Sequence, residues 1–423
     1  MSRRKVVIML LGVFTASVAL LFPMFAEQGL RDEPNQDEPN AKQQAQLDKT
    51  WTPVVRIRIE VSMSEAEFQA WAARNDRFNA SQREIEAELV NQAHESLPTW
   101  QKQAQLGTAS DIYVMDNGMV EAFAVQGYLR PMDDYYTGER AGEIMKAFTG
   151  PLLWNSSLWG VPLDGDPALL IWNKELLQRG GMHEPPKQWS AFAELAEKLA
   201  DADPGLVPVR VPIQDGRLML AWLSAFEMGR HGVELLQPLN AEEANLVRYL
   251  AAISPADVLP YSISELEKRF RSNELLAAAM TWSEYVKLAP DVRKKLEPGQ
   301  GRSPAWTGGR SFVVSSLTAQ PEAALAWIKA MTEPSGQLSS YTAGGRLPAE
   351  KTLYRSPYDT GDAAIRPPQE ALLWLNREVA ESPDPSWWAR LERWLRHWSH
   401  AQTAPFTANE AERLIQFWNQ NVE

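Results

Sequence analysis

The chain has 423 residues, 44% of them apolar, which is too much for one hydrophobic core and fits two domains. Its formal net charge of −12 repels phosphate backbones and anionic lipid, so nucleic acid is not an expected partner. It has no cysteine, which excludes disulfides, thiol catalysis, iron–sulfur clusters and cysteine zinc sites.

At the N-terminus, Arg3, Arg4 and Lys5 precede an apolar run from Val6 to Ala26. In a helix that run extends about 32 Å, enough to span a bilayer with the basic residues inside. Residues 1–26 therefore read as a membrane anchor or signal sequence. Met24 is a poor −3 residue for cleavage after Ala26, which favours an uncleaved anchor. Residues 27–50 are polar, carry Glu33-Pro34-Asn35 and Glu38-Pro39-Asn40 turns, and read as a tether. The remainder is then expected outside the cytoplasm.

Val54–Val61 (VVRIRIEV) alternates apolar and charged residues and predicts a strand. Ser64–Phe78 predicts a helix, Ile85–Val90 a strand, Leu97–Leu106 a helix, Ile112–Met115 a strand and Val120–Val125 a helix stopped by Gly127. Strands alternating with helices predict a mostly parallel sheet covered on both faces, with ligand at the carboxyl ends of strands. Further on, Ser190–Leu199 and Pro321–Thr332 predict helices, the second opened by proline in its first turn. Ser386–Ala401 sets Trp387, Leu391, Trp394, Leu395 and Trp398 on one face as a core stripe.

Catalytic signatures are missing. The histidines (His94, His183, His231, His397, His400) form no HExxH, and no nucleophile elbow, phosphate loop or GxGxxG occurs. Asp164-Gly165-Asp166 lacks the further oxygen ligands of a calcium loop. An exported glycoside hydrolase is the enzymatic alternative, because acids and tryptophans abound, but no carboxyl pair singles itself out.

Three stretches carry a resemblance: Ala109–Tyr135 (ASDIYVMDNGMVEAFAVQGYLRPMDDY), Leu158–Leu195 (LWGVPLDGDPALLIWNKELLQRGGMHEPPKQWSAFAEL), and Gly308–Pro348 with GGRSFVVSS, PEAALAWIKAMT and GGRLP. In order and spacing, together with Leu275–Trp282 (LLAAAMTW), they resemble the extracellular solute-binding proteins of ABC sugar importers, the family of maltose-binding protein. The resemblance implies an α/β, two-lobed fold, each lobe a sheet flanked by helices. About three crossings, near Asp164–Ala168, Gly309–Phe312 and Leu347–Thr352, would form a hinge. Lobe 1 would comprise 51–165 plus 312–348, and lobe 2 169–308 plus 352–423. It further implies a non-enzymatic monomer that captures a mono- or oligosaccharide between its lobes and delivers it to ABC permease subunits, with no cofactor. A membrane-anchored sensor of the same fold is the alternative role.

Sugar sites combine aromatic faces with groups that bind hydroxyls. By resemblance, Asp166 matches a cleft acid, Asp116 and Asn117 follow the third strand in the ligand loop with Met115, and Trp222 matches an aromatic of the second lobe. Trp282 falls near a stacking segment, with Tyr285 as its alternative. Trp306 near the second crossing and Trp374 complete the candidates. The family's aromatic at Met115 and acid at Gly118 are absent here. Trp172 is expected to pack.

Overall fold

The computed structural model describes residues 54–92, 96–137, 140–226, 237–253, 261–299, 307–355, 366–375, 390–391, 394 and 406–421. The N-terminal segment read as anchor and tether lies outside them. Among the described residues, no helix is long and apolar enough to cross a membrane.

The first sheet contains β1 (Val55–Val61), β2 (Ile85–Asn91), β3 (Ile112–Asp116), β6 (Val161–Gly165), β11 (Arg310–Val314) and β12 (Leu347–Pro348), in the order β12-β6-β11-β3-β1-β2. A two-stranded ribbon, β4 (Leu153–Trp154) with β5 (Ser157–Leu158), precedes β6. The second sheet holds β7 (Ala168–Asn173), β8 (Val207–Arg210), β9 (Leu275–Thr281) and β10 (Leu296–Pro298), in the order β10-β7-β9-β8. The two-lobed α/β expectation thus holds.

The expectation of mostly parallel sheets does not. β1 runs parallel to β2 and β3, but β11 is antiparallel to β3 and β6, β12 is antiparallel to β6, and β7 is antiparallel to β9 and β10. The cause is chain re-entry. β3, β6 and β9 end at the seam between the sheets, whereas β7 and β11 start from it, so neighbours of the two kinds must oppose each other. The parallel pairs among the described strands, β1–β2, β1–β3 and β8–β9, each lie within one lobe, where the chain returns through helices.

Local sequence explains the elements. In β1, Ile57, Ile59 and Val61 turn into the core while Arg56 and Arg58 face out. Glu60 breaks the pattern: it is buried and accepts hydrogen bonds from Trp100 Nε1 (2.9 Å) and Ser110 Oγ (2.8 Å). The helix Glu65–Ser81 starts where the Ser64 side chain accepts the Glu67 N–H. The helix predicted from Val120 begins at Asn117, directly after β3.

Each lobe has its own core. Trp71, Phe312 and Trp327 anchor the first. Phe192, Trp222, Phe226 and Trp418 anchor the second, together with Leu391 and Trp394 of the predicted tryptophan stripe. Trp172 packs there as expected, 5.9 Å from Phe192. A further cluster joins Phe148, Leu338, Tyr341 and Leu347 from the first lobe's segments to Leu169, Ile171, Met280 and Trp282 of the second, so an apolar layer backs the crossings.

Candidate ligand-binding site

Strand register brings the charged residues together. Asp116, at the end of β3, pairs with Arg310, at the start of β11, and Arg310 pairs with Asp164 in β6. One residue past β6, the chain crosses at Asp166-Pro167 to β7, whose Ala168 pairs with Thr281, the last residue of β9. Thr281 and Glu284 form a capping box that starts the helix Trp282–Lys287, and Trp282 N–H donates to the Pro167 carbonyl at 2.9 Å. A helix N-terminus of the second lobe therefore sits on the first crossing.

A buried ionic chain runs through this seam. Arg310 donates to Asp164 from Nε (3.0 Å) and Nη2 (2.5 Å) and to Glu67 Oε1 (2.6 Å). Arg346 donates to Asp164 Oδ1 (2.8 Å), Asp166 Oδ2 (3.2 Å) and the Gly308 carbonyl (2.7 Å). Asp166 accepts from Ser283 N–H (2.8 Å) and Ser283 Oγ (2.7 Å). Burial alone would push the Asp164 carboxyl up, but the Arg310 and Arg346 guanidinium groups overcome it and hold the carboxyl below its ordinary range. The close approach requires glycine. Gly308 has φ +56°, and a Cβ there would lie 2.7 Å from the Asp166 carbonyl oxygen.

On the second-lobe side, Asp215 follows the end of β8 and caps the helix Gly216–Leu223. Arg217 grips Asp215 in a fork (Nε–Oδ1 3.1 Å, Nη2–Oδ2 2.8 Å), yet its side chain is 42% exposed. Burial would lower the Arg217 guanidinium's pKa. The bonds and charge of Asp215, and then the charges of Asp116 and Asp166, raise it instead. The charge of Asp116, at the end of β3 in the first lobe, thus acts on Arg217 of the second. Glu284 joins this group, its carboxyl raised by burial and by the charges of Asp166 and Asp215.

The structure divides the candidates drawn from the sequence. Asp116 is exposed and makes no side-chain cap bond to the helix it precedes. Asn117 is 1% exposed and committed internally: Oδ1 accepts from Ser311 Oγ at 2.6 Å and Nδ2 donates to the Phe148 carbonyl at 3.3 Å. Asp166 is 6% exposed and likewise committed, to Ser283 and Arg346. Met115 lies in the core at 1%. Trp222 corrects the expectation of a stacking residue. It is 0% exposed, ringed by Trp189, Phe192, Phe226 and Tyr249, and donates its Nε1–H to the Leu246 carbonyl, so no face is open to a ligand. Trp282 is 5% exposed and packs on half-buried Tyr285 with centroids 5.2 Å apart. Trp306 lies outside the described residues. Trp374 falls in the helix Glu370–Leu375, with its side chain outside the description.

Sequence reasoning missed Arg310, Arg346, Glu67, Ser283, Glu284, Asp215 and Arg217. A signal for two of them was present: Gly-Gly-Arg occurs at 308–310 and again at 344–346, each time ahead of a strand of the first sheet. Among the described residues, no group of three His, Asp or Glu side chains is arranged to hold a metal. An open depression is lined by Gly181–Gln188 and Ala191, none of them a residue of this seam.

Known proteins give this geometry a context. Over 244 residues the chain is 27% identical to a probable amino-acid ABC transporter periplasmic-binding protein of Sinorhizobium fredii, covering 54% of this chain and 56% of that protein. A putative binding protein of Brucella abortus is 26% identical over 93 residues, covering 22% of this chain and 23% of that one. The chain thus matches about half or less of the length of these relatives. An ABC transporter solute-binding protein from Thermotoga lettingae, solved with alpha-D-tagatose, superposes with TM-score 0.63 at 17% identity, over 87% of this chain and all of that one. Maltose-bound MalE3 of T. maritima superposes with TM-score 0.62 at 18% identity, over 88% of this chain and all of that one. These two likenesses establish the fold. Residues 73–366 match the bacterial extracellular solute-binding protein family, and the chain belongs to that family.

Proposed function

We propose that this protein captures a saccharide between its two lobes outside the cytoplasm and hands it unchanged to ABC permease subunits. The observation that carries this reading is the seam. Exposed Asp116 ends β3 in the first lobe, next to the buried ionic chain, and half-exposed Arg217 is held by Asp215 after β8 in the second, both at strand ends, where this fold binds ligand. The tagatose and maltose bound in the structural neighbours support a sugar. In this reading, Asp116, Arg217, Glu284 and Tyr285 meet the ligand, while Asn117 and Asp166 hold the walls that present them. The lobes are 51–165 with 312–348 and 169–308 with 352–423, and residues 1–26 anchor a monomer at the outer face of the membrane.

One observation favours a second ligand class. A carboxylate on one lobe and a guanidinium on the other also suit the ammonium and carboxylate of an amino acid, and the Sinorhizobium relative bears an amino-acid transporter name. A thermal-shift screen separates the two, because a ligand that binds the native state raises its melting temperature. Tagatose, maltose and maltotriose are expected to shift the protein and amino acids to leave it unmoved. The reverse pattern overturns the saccharide reading, and breakdown of a sugar during incubation overturns the binding role.

A further inference from the structure

Among the described residues, the Arg346 guanidinium bonds to two of the crossings between the sheets and stands at the start of the third. Its Nε reaches Asp164 at the end of β6, its Nη1 reaches Asp166 in the first crossing, and its Nη2 reaches the Gly308 carbonyl in the second. Arg346 itself stands one residue before β12, after which the chain leaves the first sheet for the third crossing. The first two crossings are bonded to each other as well, Asp166 N–H donating to the Thr307 carbonyl at 2.8 Å. Through Asp166 the guanidinium reaches Ser283, the second residue of a second-lobe helix. Arg310 does not play this part: its contacts, Asp164 and Glu67, both belong to the first lobe.

We propose that Arg346 is the positioning residue of the hinge, a clasp that fixes the crossings relative to one another and sets how readily the lobes part. Rotation of the second lobe moves Ser283, and with it Asp166, while Asp164 stays with the first sheet. One planar guanidinium bonded to both aspartates therefore resists that rotation. Gly345 supports the clasp: its φ of +75° turns the chain, and its Cα stands where a Cβ would meet Ser283 Cα at 3.2 Å, so the segment carrying Arg346 lies against the moving helix. The inference deepens the lobe-capture reading, but its test needs no ligand.

The test is hydrogen–deuterium exchange of the full-length ligand-free protein, read in peptides covering 164–168 and 281–285, with 55–61 in β1 as reference. In Arg346→Gln, exchange at the Asp166 and Ser283 amides is expected to rise about tenfold, as for a lost charge-assisted hydrogen bond, with the reference unchanged. Arg346→Lys keeps the charge but cannot span both aspartates and the Gly308 carbonyl, so it gives a smaller rise at the same peptides; it also serves if the glutamine variant fails to fold. Wild-type rates at the crossings in Arg346→Lys, or equal acceleration at 55–61, overturn the clasp. Failure of every sugar to shift the wild-type protein would overturn the saccharide reading and leave the clasp intact.

Discussion

Replacing Arg310 with methionine tests whether the buried ionic chain supports the first lobe. The side chain is 9% exposed and makes three charge-assisted bonds, two to Asp164 and one to Glu67. Its loss leaves Asp164 with Arg346, but removes the cation that faces Glu67, itself only 10% exposed. Breaking a buried pair by deleting one partner costs about 3–5 kcal/mol. Glu67 lies in the first turn of the helix Glu65–Ser81, where the backbone N–H groups offset part of its charge, so we expect about 3 kcal/mol. Urea unfolding at pH 7, followed by tryptophan fluorescence, measures the loss. Adding Glu67→Gln removes the stranded charge and should return about 1–2 kcal/mol. The sign with pH is fixed by Asp164, whose carboxyl is held below its ordinary range: its stabilisation is complete above the unfolded pKa and is lost as pH falls through the folded one. The gap between wild type and Arg310→Met is therefore widest near neutrality and narrows below about pH 4. A loss under about 1 kcal/mol at pH 7, or no recovery in the double variant, would refute the reasoning.

Trp222→Ala should destabilise by about 3–5 kcal/mol, seen as an early urea transition, because a fully enclosed ring leaves a cavity among Trp189, Phe192 and Phe226. Asp116→Ala should leave the melting temperature within about 2 °C of wild type, since the side chain caps nothing, and weaken the sugar found by the thermal-shift screen about tenfold in calorimetric titration. Gly336→Ala puts a Cβ 1.9 Å from Arg74 Nη2 and displaces a buried guanidinium bonded to the Gly336 and Met331 carbonyls and Ser340 Oγ; the expected loss is about 2–3 kcal/mol in the same unfolding assay. The Glu284 carboxyl is raised by burial and by neighbouring acids, so its contribution is favourable below its unfolded pKa and lost as pH rises through the folded one. Glu284→Gln should therefore raise the thermal midpoint at pH 7 and lose that advantage below about pH 4.

Much of the secondary structure was legible in the chain, because amphipathic period and caps are local properties. VRIRIEV forms β1, PEAALAWIKAM forms a proline-opened helix, and Ser64 caps the helix after it. The ordered motifs around Ile112, Val161 and Arg310 also carried the two-lobed family fold. Other features depend on partners distant in sequence. Strand direction follows from which lobe a segment enters from, and no window around Phe312 contains that information. Glu60 looks solvent-facing until Trp100 and Ser110 are brought over it. Trp222 loses its expected standing because burial is set by neighbours such as Phe192 and Tyr249, not by residue type. The seam is the extreme case: Asp164 meets Arg310 and Arg346 across 146 and 182 residues. The sequence by itself determined the elements and the family. Only the tertiary structure decided which charges pair, because Coulomb energy and desolvation depend on distance in space, and folding alone sets that distance.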